Sequence, residues 1–107
     1  MGETFSGRAS YYASTLSGRK TASGETFHQN RYTAASDRFP IGTKVRVTNR
    51  KNGRSVDVTI IDRGRGLGYH RIDLSRSAAI QIDLTRREGT VPVEIRVIRI
   101  VDGSEAQ

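Results

Sequence analysis

The chain has no cysteine and no tryptophan, one methionine and two prolines in 107 residues. Without cysteine there is neither a disulfide framework nor a thiolate metal site, and reducing and oxidising compartments both stay open. Aromatics are few, four tyrosines and three phenylalanines, and no aromatic–basic alternation forms a base-stacking platform. No run of about 18 apolar residues exists to span a membrane. Residues 1–6 lack the basic-then-apolar order of a signal peptide. No spacing matches HExxH or another zinc signature, so neither metal nor cofactor is expected.

What is present fits one small domain. A chain of 107 residues with 35% hydrophobic content has one modest core and is not disordered. Eighteen Lys and Arg against eleven Asp and Glu give a net charge of +7, which favours polyanions such as nucleic acid, anionic wall polymers or an acidic membrane surface. The basic residues are scattered in small clusters, so the charge is read as solubility with some attraction to an anionic matrix.

The chain is organised around Ile60-Ile-Asp62-Arg-Gly64-Arg-Gly66-Leu-Gly68-Tyr-His70-Arg-Ile-Asp73. A β-branched strand end delivers Asp62 where regular structure stops, and three glycines follow within five residues. On pattern alone Asp62 either carries chemistry or only hydrogen-bonds the turn and pairs with Arg63. Upstream, Lys44-Val-Arg-Val-Thr-Asn49 and Ser55-Val-Asp-Val-Thr-Ile60 alternate around Asn52-Gly53, a positive-φ pair, and predict a β-hairpin. Val45, Val47, Val56, Val58 and Ile60 share its core face, and Asp57 points to solvent. Residues 8–14 read as a strand with Tyr11 and Tyr12 on opposite faces. Residues 14–31 form a polar loop long enough to be functional or disordered, and 34–36 read as a short turn. Ser75 caps a short helix through Gln81. Val91, Val93, Ile95 and Val97 alternate inward along a last strand, Val91 to Val101, with Pro92 suited to an edge or strand start. The boundaries are a flexible lead at 1–6, the domain at 7–101 and a tail at 102–107. Mostly β content with non-local pairing suggests a closed barrel, which removes free sheet edges.

Gly7-Arg-Ala-Ser-Tyr-Tyr12, Arg19-Lys-Thr-Ala-Ser-Gly-Glu25, Thr33-Ala-Ala35, Pro40-Ile-Gly-Thr43, Asp62-Arg-Gly64 and Ile72-Asp-Leu-Ser75 together resemble the double-psi β-barrel domain of the rare lipoprotein A family. The resemblance covers residues 7–101. It implies a mainly β fold, a six-stranded double-psi barrel with one or two short helices, and a place in the periplasm or outer membrane. It also implies lytic transglycosylase activity on peptidoglycan strands stripped of stem peptides. Expansin and barwin-like relatives imply an alternative, a non-catalytic barrel that binds wall polysaccharide. Carried over by position, the catalytic acids are Glu25 and Asp62. Ser36 stands where the family has a histidine, and a serine cannot carry imidazole's charge. Arg65 replaces a customary proline.

Glycoside cleavage divides its work between a neutral and an ionised carboxyl. Arg63 and Arg65 near Asp62 favour its ionised form, whereas Glu25 beside Phe27 is the better proton donor. Tyr12, Arg19, Lys20, Arg63, Tyr69, His70 and Asp73 are the candidate glycan contacts. The alternative for Asp73 is a structural one, hydrogen-bonding backbone N–H groups at the loop or the helix start. His28 and His70 read as surface histidines by default. The expected partner is a wall glycan, the expected state a monomer, and nucleic acid is the least favoured ligand.

Overall fold

The computed structural model describes residues 3–11, 20–24, 26, 28, 30–64, 66, 68–85 and 87–100. Six strands, β1 (Thr4–Tyr11), β2 (Thr33–Ala35), β3 (Lys44–Asn49), β4 (Ser55–Asp62), β5 (Arg71–Leu74) and β6 (Val91–Arg99), and one helix, α1 (Arg76–Gln81), carry the fold. The strands close in the order β1-β5-β2-β4-β3-β6. β1 runs parallel to β5 and β2 parallel to β4, and the remaining neighbours are antiparallel. Closure of these six strands leaves none of them an unpaired edge, as expected from the mostly β content and non-local pairing.

Period-2 alternation builds the interior. Val45, Val47, Val56, Val58 and Ile60 from the hairpin meet Ile72, Leu74, Val91, Val93, Ile95 and Val97 in one core. Each such side chain contributes about 1.5–3 kcal/mol on burial. Asp57 points outward as expected and pairs with Arg46 at 2.8 Å. That guanidinium holds its carboxyl below the ordinary aspartate range. Ser75 caps α1 by accepting the Ala78 N–H, again as read from the sequence.

Four local expectations need correction. Strand β1 begins at Thr4, not after a lead through Ser6, because Phe5 pairs with Ile95 and packs edge-on against Phe39 at 5.7 Å. Residues 33–35 are strand β2 rather than a turn at 34–36: Ala34 and Ala35 are buried between β4 and β5, a position only small side chains fill. At the hairpin, only Gly53 has positive φ. Its N–H reaches Asn49 O at 2.7 Å, and one residue rather than the expected pair takes the left-handed conformation. β6 ends at Arg99, two residues short of the expected Val101. The expected tail at 102–107, and Tyr12 with the strand's expected end at Ser14, lie outside the described residues.

Candidate functional site

Asp62 is set by a bulge. Along β4, Ile60 pairs with Ala34, but the next residue of β2, Ala35, pairs with Asp62, so Ile61 is an extra residue. In an unbroken strand Asp62 would face the core like Ile60, two residues earlier. The bulge shifts it to the face of its neighbour Ala35, a common way to re-aim a side chain at a functional site. Its Oδ1 accepts the N–H groups of Ala22 at 3.1 Å and Arg63 at 2.9 Å. Among the described residues no donor meets Oδ2.

Register extends this position across the barrel. Asp62 lies beside Ala35, Ala35 beside Asp73, and Asp73 beside Ser10, one row over four strands. Two strand spacings separate the backbones of Asp62 and Asp73, roughly 10 Å. Asp73 faces out, since Ile72 and Leu74 on either side are fully buried. Its Oδ1 accepts the Ser10 hydroxyl, which in turn accepts Arg71 Nη2 at 3.1 Å. The structural role expected for Asp73 therefore takes a different form: it bonds a hydroxyl on β1, and Ser75 holds the helix start. Arg71 Nε is buried without a hydrogen-bond partner among the described residues.

The segment between β2 and β3 clasps the loop after Asp62. Ser36 is buried; its N–H donates to Asp62 O at 3.0 Å and its Oγ accepts the Arg38 N–H at 3.0 Å. It thus sits next to Asp62 with its hydroxyl turned to its own backbone. Asp37 accepts Gly64 N–H at 2.8 Å on one oxygen, and Gly66 and Gly68 N–H, both at 3.2 Å, on the other. Arg63 Nη2 donates to Phe39 O. Arg38 stacks over Phe5 at 3.9 Å and lies 5.9 Å from the Tyr69 ring centre. Tyr69 is 63% exposed. His70 is exposed too, and its carbonyl accepts the Arg8 N–H at 2.7 Å. Asp37 escaped the sequence reading. The signal for it was three glycine N–H groups at alternate positions with no acceptor assigned to them.

The long polar loop reaches the same place. Ser23 N–H donates to Ile61 O at 3.0 Å beside the Ala22–Asp62 bond, and Lys20 bridges Thr26. Ala22 and Ser23 therefore dock on the end of β4. Glu25, Tyr12 and Arg19 themselves lie outside the described residues. His28 is exposed, and no cluster of metal-ligating side chains occurs among the described residues. An apolar cleft of about 390 Å³ lies between Tyr11 and the α1 side chains Ala79 and Ile80. Among the described residues no helix is long and apolar enough to cross a membrane.

Comparison with known proteins agrees with this architecture. A sequence profile described as lytic transglycolase matches residues 4–95. The endolytic peptidoglycan transglycosylase RlpA of Campylobacter jejuni is 46% identical over 98 residues, covering 92% of this chain and 35% of its own length. The chain thus spans about a third of that relative. In fold it is similar to a Streptomyces papain inhibitor, with TM-score 0.74 at 22% identity, covering 92% of this chain and 96% of the inhibitor. It is also similar to an expansin of Clavibacter michiganensis, with TM-score 0.70 at 24% identity, covering 94% and 53%.

Proposed function

The chain belongs to the lytic transglycolase family, and from that premise we propose that it cuts peptidoglycan glycan strands without water, leaving 1,6-anhydro ends. The observation that carries this reading is the bulge that turns Asp62 out of the core, with one carboxylate oxygen held by two N–H groups. A carboxylate fixed through one oxygen offers the other to substrate in a set direction, and such positioning is a substantial part of what a protein contributes to bond cleavage.

Glu25 is the proposed proton donor and Asp62 the ionised partner. The acid protonates the glycosidic oxygen, the C1–O bond breaks, and Asp62 stabilises the positive charge left on the sugar ring. The sugar's own C6 hydroxyl then adds to C1 and gives its proton to the Glu25 carboxylate, which closes the anhydro ring and restores both acids to their starting states. Acid–base help of this kind is worth about 10²–10⁴-fold. Docking of Ala22 and Ser23 on the end of β4 supports the pairing, because Glu25 follows within three residues.

Ser36 has no ionisable group, so the two carboxyls would carry the proton traffic alone. Lys20, Arg63, Tyr69, His70 and Asp73, with Tyr12 and Arg19, are the proposed glycan contacts. Because the substrate is a wall polymer, the same reading assigns the chain to the cell envelope.

Ser36 also favours a second reading, a barrel that binds wall polysaccharide without cutting it. One experiment separates the two. Amidase-treated sacculi are incubated with the protein, and the soluble products are analysed by mass spectrometry. Anhydro-terminated glycans are expected. Retention on sacculi with no soluble product would instead establish the binder, and ordinary reducing ends would establish a hydrolase.

A further inference from the structure

The loop after Asp62 has a feature that the proposed chemistry leaves unused. Gly64, Gly66 and Gly68 all aim their N–H groups at one carboxylate, Asp37. Backbone N–H groups at alternate positions converging in this way form a nest-like concavity suited to an anion. Gly66 and Gly68 have φ of 91° and 90°, conformations that other residues resist. A Cβ on Gly64 would lie 3.2 Å from the Asp37 carboxyl. Loop and carboxylate are therefore matched to each other, and the anion that fills the nest is part of the chain.

The nest bears on the site through its neighbours. Asp37 follows Ser36, whose N–H holds Asp62 O, and precedes Arg38, which lies between Phe5 and the Tyr69 ring. Gly64 follows Arg63, whose side chain returns to Phe39 O in the same segment. We propose that Asp37 is a positioning residue: by filling the nest it fixes the loop that presents Arg63 and Tyr69 beside Asp62, and glycan processing depends on it although it does not touch the reacting atoms. The dependence on glycan processing rests on the function proposed above. The clasp itself does not.

The test is chemical rescue. Asp37→Ala empties the nest and leaves its three N–H donors without the carboxylate, a site that formate can enter. The rate of anhydro-glycan release should fall about tenfold or more, since small displacements of positioned groups are costly. Formate in the tens of millimolar range should restore a large part of it, while chloride at equal ionic strength should not. In parallel, the backbone amide NMR signals of Gly64, Gly66 and Gly68 should shift on substitution and return with formate. Wild-type release by Asp37→Ala, or equal effects of formate and chloride, would overturn the proposal.

If Asp37→Ala does not fold, hydrogen exchange of the wild-type protein decides. The three glycine amides should exchange far more slowly than amides of the unfolded chain, and unfolded-like rates would refute the clasp. If the wild type releases no anhydro ends, the functional reading fails. The NMR readout then still decides the clasp.

Discussion

Gly7 offers a strong test of how tightly this barrel is drawn. It lies in β1 opposite Val93, and a Cβ built there would sit 2.6 Å from the backbone oxygen of His70. No rotamer relieves that contact, because the clashing atom belongs to the main chain just before β5. Forcing atoms into a filled space costs about 1–3 kcal/mol, and alanine recovers about 0.5–1 kcal/mol by losing less chain entropy than glycine. Gly7→Ala should therefore destabilise the domain by about 1–2 kcal/mol, a fall of roughly 5–15 °C in Tm for a domain of this size.

The displaced group also belongs to a proposed glycan contact. His70 O accepts the Arg8 N–H, and Asp73 follows three residues later on β5, so glycan release should fall as well. Gly53→Ala is the control. It meets nothing within 4 Å but has φ of 76°, so it should lose about 1–2 kcal/mol through backbone strain while glycan release stays intact. Thermal melting and product release, measured on both variants, check the argument. A Gly7→Ala protein as stable as the wild type would refute it, as would equal loss of activity in the two.

Two further expectations concern stability alone. Asp83 is a non-glycine residue at φ 58°, just past the end of α1, where its N–H bonds Ile80 O and that of Leu84 bonds Ala79 O. Glycine is the usual residue at that point of this helix-ending motif, so Asp83→Gly should stabilise by about 0.5–1 kcal/mol in urea unfolding. Asp57 has its pKa lowered chiefly by the hydrogen bond from Arg46. A depressed carboxylate stabilises the fold above its unfolded pKa and loses that contribution as pH falls through the folded value. Because the pair is exposed, Asp57→Asn should cost under about 1 kcal/mol at neutral pH. The difference from wild type should vanish at the acid end of a series of urea melts and shrink with added salt.

The parts of the fold visible in the sequence were those governed by local periodicity. The alternating valines of β3, β4 and β6 fix which face is buried, and the polar helix start at Ser75 carries its own cap. The features that were missed depend on contacts between distant segments. Strand β2 is only three residues long, too short for any period, and its burial comes from β4 and β5 lying on either side. The bulge at Ile61 is invisible in an apolar run, because it exists only in the register between β4 and Ala35. Asp37 drew no notice because its partners, the N–H groups of the glycine loop, lie some thirty residues further along the chain. Asp62 was legible for a different reason: an acid at a strand end before glycines is exposed by almost any way the chain can turn there. The site as seen in the structure is richer than its sequence signature. The row Ser10–Asp73–Ala35–Asp62 joins four strands that no motif links.

The central claim is that the carboxylate turned outward by the Ile61 bulge takes part in bond cleavage. It is tested most directly by Asp62→Asn, assayed for anhydro-terminated glycans on amidase-treated sacculi beside the wild type. The amide keeps an oxygen for the N–H groups of Ala22 and Arg63, so melting and retention on sacculi should stay near wild type while anhydro products disappear. An Asp62→Asn protein that releases those products at the wild-type rate would contradict the account.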